Sequence, residues 1–176
     1  MKKLFFSFLT MLIFTAGTAQ AQQVTLKASI LSPIVKTGSF FAEYAFSPQM
    51  SAQLGYFQTG MKVKETSFDG FGITPEVRYF FFGEAPRGLY GAGYLRYQDF
   101  TLTREDTQAT GSLTSFGGGA LLGYQMILGK HFVLDLFAGP GFNAATVSGG
   151  GGEENFDLGT FGGFSPRGGI TVGIAF

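Results

Sequence analysis

The 176-residue chain contains no cysteine, no tryptophan and a single histidine. Without cysteine there can be no disulfide, thiol nucleophile or thiolate metal site, and no lipid anchor on a cysteine after a leader. With His131 alone, any metal centre would have to be assembled from carboxylates. Charge is also scarce, and Lys+Arg equal Asp+Glu at 12 each. Nucleic-acid binding would need a basic surplus. Long apolar runs are missing as well: after residue 21 none approaches the ~20 residues with which a helix spans a bilayer.

What the chain has in abundance is glycine and aromatic residues. It carries 28 Gly, more than twice the usual share of about 7%, with 22 Phe and 7 Tyr. Residues 1–21 read as a secretory signal peptide: Lys2 and Lys3, an apolar run from Leu4 to Ala16, and the small-residue site Ala19-Gln20-Ala21. An uncleaved membrane anchor is the competing reading, but the run is short for a span. The mature chain would be residues 22–176, one domain, with ten basic against twelve acidic residues.

Within 22–176 eight segments alternate with a period of two, the strand period. Their approximate spans are 23–32, 38–47, 50–63, 71–82, 88–103, 112–127, 131–146 and 164–176. In the fourth, Ile73, Val77, Tyr79 and Phe81 oppose Thr74, Glu76, Arg78 and Phe80. In the seventh, Phe132, Leu134, Leu136, Ala138 and Phe142 oppose His131, Val133, Asp135, Phe137 and Asn143. Connections at 47–49, 83–87 and 128–130 are short, whereas 32–37, 64–70, 104–111 and 147–163 are mostly longer and more polar. The expected fold is all-β: an eight-stranded antiparallel transmembrane β-barrel with short periplasmic turns and longer extracellular loops.

A soluble eight-stranded barrel, such as a lipocalin, shares this alternation but buries the apolar parity. The charges favour the inverted arrangement. Lys27, Glu43, Glu76, Arg78, Arg96, Asp135 and Arg167 all fall on the polar parity, so in a membrane barrel they converge in the lumen. Asp135 is then expected to point inward and accept hydrogen bonds from Arg78, Arg96 or Arg167. Glycines 55, 117, 119, 123, 139, 141, 169 and 173 share that parity and would make room for arginine, glutamate and tyrosine side chains. Phe46, Tyr79, Phe81, Tyr124, Phe132 and Phe176 lie near strand ends on the apolar parity, as interfacial girdles do. Pro75 and Pro140 fall within strands, where each removes a ladder donor, and local bulges are expected there.

Gly72-Ile-Thr-Pro-Glu-Val-Arg-Tyr79, Pro86-Arg-Gly-Leu-Tyr90, Tyr94-Leu-Arg-Tyr97, Gly119-Ala-Leu-Leu-Gly-Tyr-Gln125 and Pro166-Arg-Gly-Gly-Ile-Thr-Val-Gly173 together resemble an uncharacterised, domain-of-unknown-function family of small bacterial outer-membrane β-barrels, OmpA/OmpX-like in architecture. The resemblance spans nearly all of the mature chain. It implies outer-membrane localisation, and Gly173, Ile174 and Phe176 resemble the C-terminal signal read by the barrel-assembly machinery. It supplies no catalytic residues.

Three functions follow as expectations. The first is a structural or surface-interaction barrel, monomeric, among outer-membrane lipids and lipopolysaccharide, its lumen plugged by the Glu/Asp–Arg network. It would be no enzyme and would need no metal or other cofactor. The second is a lipid-modifying enzyme, for which His131 would have to be the base; it belongs by sequence to the periplasmic rim, away from the outer leaflet. The third is a narrow small-solute channel. The tetraglycine at 149–152 lacks a following Gly-Lys-Ser/Thr and reads as a loop tip, not a phosphate cradle. The loop acids Glu153, Glu154 and Asp157 follow no EF-hand spacing. Lys62, Lys64 and Arg104, toward the long-loop end, would meet lipopolysaccharide phosphates or simply face water.

Overall fold

Tyrosine, phenylalanine and β-branched residues at alternate positions favour pleated strands, and here the strands close on themselves. The computed structural model describes residues 23–63, 66–104, 110–148 and 162–176. The leader, the tetraglycine and the loop acids lie outside them, as does Lys64. Ten strand segments form the wall: β1 (Val24–Ser29), β2 (Thr37–Ser47), β3 (Met50–Val63), β4 (Thr66–Phe82), β5 (Gly88–Arg104), β6 (Thr110–Leu128), β7 (Phe132–Gly139), β8 (Gly141–Ser148), β9 (Gly163–Phe164) and β10 (Arg167–Ala175). A 3-10 turn, Ser32–Val35, joins β1 to β2. All pairings are antiparallel, in the order β5-β4-β3-β2-β1-β10-β7-β6-β8-β9, and β5 pairs with β6 to complete the ring. The fold is a closed eight-stave antiparallel barrel.

Segments β7 and β8 are two halves of one stave, and β9 and β10 of another. The breaks fall at Pro140 and Pro166. Pairing nevertheless runs through Pro140 in one register: Leu122 opposes Ala138 and Gly119 opposes Gly141 on either side of it. The same holds at Pro75, with Leu54 opposite Pro75 within an unbroken β3–β4 ladder. The bulges expected at these prolines therefore do not form. Antiparallel ladders alternate bonded and non-bonded pairs, so a strand residue directs its N–H to one neighbour only. Ser165 donates to the Gly141 carbonyl at 2.9 Å, which makes the adjacent Pro140–Pro166 pair a non-bonded one. Each proline forfeits at most one bond, toward its other neighbour. The register shifts occur instead near two tight turns, between Ala45 and Ser47 and between Phe80 and Phe82.

Residues 64–70, expected as a loop, are mostly strand. The β3–β4 ladder continues until Val63 opposes Thr66, leaving two residues for the connection. With β5 and β6, these strands reach 14 to 19 residues and rise above their neighbours on one side of the barrel.

The two parities part cleanly. Outward residues include Leu26, Phe40, Leu54, Val77, Leu95, Leu122 and Ile174, all exposed. Two rows of rings circle the outside. One lies at the short-turn end: Phe46, Tyr79, Phe81, Tyr124, Phe132 and Phe176, each 45–62% exposed. The other follows one register through Phe40, Tyr56, Tyr97 and Phe116, with the aliphatic Ile73 between Tyr56 and Tyr97 and with Phe71, Phe142 and Phe164 nearby. Between the rows no described outward residue is charged; the first such charges, Asp69 and Asp99, lie above the upper row.

The inward glycines have an unexpected use. Six of the aromatic rings inside the wall lie directly across the ladder from a glycine: Phe41 opposite Gly55, Phe57 opposite Gly72, Phe100 opposite Gly70, Tyr90 opposite Gly123, Tyr94 opposite Gly119 and Phe137 opposite Gly169. A Cβ at any of these glycines would press into the facing side chain, within 2.9 Å of Phe41 at Gly55 and 2.8 Å of Phe137 at Gly169. The room was expected for arginines and glutamates as well as tyrosine; aromatic rings take it. Phe80, Tyr90, Ala92, Tyr94, Leu121 and Phe137 form an apolar cluster inside.

Candidate functional site: the polar brace of the lumen

A narrow barrel fills its interior with side chains, and buried charges there need partners. Glu43, fully buried on β2, receives Lys27 Nζ at 2.7 Å, Thr25 Oγ1 at 3.1 Å, Ser51 Oγ at 2.5 Å and Gln125 Nε2 at 3.0 Å. Asp135 on β7, 0% exposed, receives Lys27 Nζ at 3.1 Å, Arg78 Nη1 at 3.0 Å and the Tyr90 hydroxyl at 2.8 Å. Glu76 receives Arg78 Nε at 2.7 Å and Arg167 Nη1 at 2.6 Å. Gln125 Oε1 accepts from both Lys27 at 2.6 Å and Arg78 at 3.0 Å. Its amide also donates to the Pro86 carbonyl at 2.6 Å, which ties the 83–87 turn into the base of the lumen.

Register explains the meeting point. Parity turns each of these residues inward, and the ladder fixes its height. Thr25 lies opposite Glu43, Gln53 opposite both Glu43 and Glu76, Ser51 opposite Arg78, and Gln125 opposite Asp135. Lys27, Glu43, Ser51, Arg78, Tyr90, Gln125, Asp135 and Arg167 come one from each of the eight staves. The Arg78 guanidinium also lies over the Tyr90 ring at 4.3 Å, and that of Arg167 over Tyr94 at 4.8 Å and Phe137 at 5.0 Å, within cation–π range.

Six of the seven charged residues expected in the lumen, Lys27, Glu43, Glu76, Arg78, Asp135 and Arg167, join this brace. Arg96 does not. Its side chain points inward but pairs with no carboxylate among the described residues, and its Nε has no hydrogen-bond partner. It approaches only the rings of Phe57 and Tyr94, at 5.8 Å each. Of the three arginines offered as alternatives for Asp135, Arg78 is the one that reaches it; Arg167 goes to Glu76. The reason is height: Arg96 lies opposite Gly117, well above Tyr90 opposite Gly123. Sequence reasoning also passed over the neutral members Thr25, Ser51, Tyr90 and Gln125. Their inward parity was the available signal, and restricting the search to charge hid it.

His131 stands at the short-turn rim, exposed, with Nδ1 2.9 Å from the Ala175 carbonyl. Ile174 and Phe176 point outward near the chain end, beside Gly173. No group of three or more metal-ligating side chains occurs among the described residues.

A profile described as a protein of unknown function, DUF3575, matches residues 6–148. The chain belongs to the DUF3575 family. No curated protein and no solved structure matches it.

Proposed function

We propose that this DUF3575 protein is an integral outer-membrane barrel, exported by residues 1–21, with a structural or surface-presenting role and a lumen held shut by its ionic brace. One observation carries the reading: charge lies inside, braced from all eight staves, while a charge-free belt between two aromatic rows lies outside. The belt has the right height. Ten residues of β4 separate Phe71 from Phe81; at about 3.4 Å per residue and a tilt of about 40° that is about 26 Å, against an apolar band of about 25 Å in such barrels. A closed ring also leaves no unpaired strand edge for lipid to meet.

The reading implies outer-membrane lipids and lipopolysaccharide as surroundings, the barrel-assembly machinery as the inserting partner through Gly173, Ile174 and Phe176, and a monomer. It implies neither catalysis nor a cofactor. A lipid-modifying enzyme would need a nucleophile beside His131, and the His131 ring instead engages a backbone carbonyl at the rim. A channel would need a path past Lys27, Arg78, Glu43 and Asp135.

Cell fractionation and planar-bilayer recording test this together. The chain should remain in outer membranes after urea washing, require detergent for purification, and give no steady unit conductance. A freely water-soluble product would overturn the membrane placement, and a stable conductance would overturn the closed lumen.

A further inference from the structure

Above the brace, toward the long-loop end, the lumen opens into a cavity of about 100 Å³. Arg96 and Arg167 reach it from β5 and β10, with Thr74 on β4 and Ser29, Ser32 and Ser39 around the rim. The serines are already ordered: Ser32 N–H donates to Ser29 Oγ at 3.2 Å, and the Ser32 and Ser39 hydroxyls lie 2.9 Å apart. Phe41 and Phe57 form apolar walls. A water occupies about 30 Å³ of liquid, so the space holds a few waters or one small oxyanion.

The charge is unbalanced here. Among the described residues four cations and three carboxylates enter the lumen, and every one of these carboxylates is taken by the brace below. The surplus falls on Arg96, whose Nε is buried and unpartnered and whose neighbour in the cavity is another guanidinium. Two planar donor forks beside hydroxyls suit a tetrahedral oxyanion, which accepts bidentate charge-assisted bonds. We infer that this cavity is a binding site for a phosphate group, free or borne on a lipid headgroup, held by Arg96 and Arg167 with the serine hydroxyls. The site stands on the barrel interior and does not depend on the membrane placement.

The test is unfolding of the refolded full chain in a zwitterionic detergent, with inorganic phosphate added against chloride at matched ionic strength. A ligand that binds only the folded state shifts the unfolding constant by one plus its concentration over Kd, about 100-fold at a 100-fold excess. Wild type should show this saturable shift. Arg96→Gln should lose it yet fold, because the arginine braces nothing; without phosphate it should be no less stable than wild type. Arg87→Gln, at the opposite end, should retain the shift. A parallel arm uses short-chain phosphatidic acid: a shift with it alone identifies the lipid-borne group, and a shift with phosphate alone the free ion. No Arg96-dependent shift in either arm, or an equal shift in Arg96→Gln, would overturn the site. Should the chain prove soluble without detergent, the phosphate arm runs unchanged in buffer, so the two failures stay separate.

Discussion

Asp135→Ala is the sharpest probe of the brace. The carboxylate is fully buried and holds three donors, Lys27, Arg78 and Tyr90, at 3.1, 3.0 and 2.8 Å. Removing one partner of a buried ion pair costs about 3–5 kcal/mol, because the other charge is left in a poor solvent. Here both cations keep another carboxylate: Lys27 keeps Glu43 at 2.7 Å, and Arg78 keeps Glu76 at 2.7 Å. The loss should therefore sit at the low end, about 3 kcal/mol. Asp135→Asn keeps the shape and an acceptor but not the charge, and should lose about 1–2 kcal/mol. Lys27→Met with Asp135→Leu removes one charge of each sign and should be at least about 1 kcal/mol more stable than Asp135→Ala alone. The assay is urea unfolding in micelles, followed by far-ultraviolet circular dichroism and by the gel shift between folded and heat-unfolded barrel, since the chain has no tryptophan. A loss for Asp135→Ala below about 0.5 kcal/mol, the size of an ordinary surface change, would refute the brace.

Two glycines that differ only in surroundings should behave oppositely. A Cβ at Gly123 would collide with the Tyr90 ring and meet the Leu136 carbonyl at 2.8 Å, whereas one at Gly93 meets nothing within 4 Å. Gly123→Ala should cost about 1–3 kcal/mol and Gly93→Ala should be neutral or stabilising by up to about 1 kcal/mol, both read from urea midpoints. Leu95→Arg puts a charge in the middle of the outer belt, where Leu95 is 54% exposed. It should cost about 2–4 kcal/mol for folding into phospholipid vesicles, against about 0–1 kcal/mol for Thr101→Arg above the upper aromatic row. Equal costs at the two positions would argue against the assigned belt.

Much of the architecture was legible because parity is a local property. Whether Glu76 or Val77 faces the lumen follows from period two within one strand, and no partner need be known. The eight staves, the antiparallel order and the inward direction of Asp135 all follow at that level. Height is different, since it depends on how each strand slides against its neighbours. Arg78, Arg96 and Arg167 are equivalent by parity, yet only one reaches Asp135. Their separation is set by pairings such as Arg96 with Gly117 and Gln125 with Asp135, between residues distant in the chain. The prolines were misjudged for a related reason: a strand proline costs a bond on one side only, and which side depends on the ladder.

The glycines connect these two levels. Each inward ring opposite a glycine is a size complement across one ladder step, large against none. Sliding a strand by one residue would flip its faces, and sliding it by two would set Phe41, Tyr90 or Phe137 against a side chain instead of a gap. Phe41–Gly55, Tyr90–Gly123 and Phe137–Gly169 thus penalise two-residue slips in either direction, and Phe57–Gly72 and Tyr94–Gly119 in one, because Gly70 and Gly117 stand two residues away on the other side. The β5–β6 pair carries two of them, four residues apart on each strand, and this is the seam that sets Tyr90 and Gln125 at the level of Asp135. A high glycine content therefore does not signal looseness in this barrel. It helps fix the heights at which the charges meet, and so decides that Arg78 reaches Glu43, Glu76 and Asp135 while Arg96, higher in the lumen, reaches no carboxylate among the described residues.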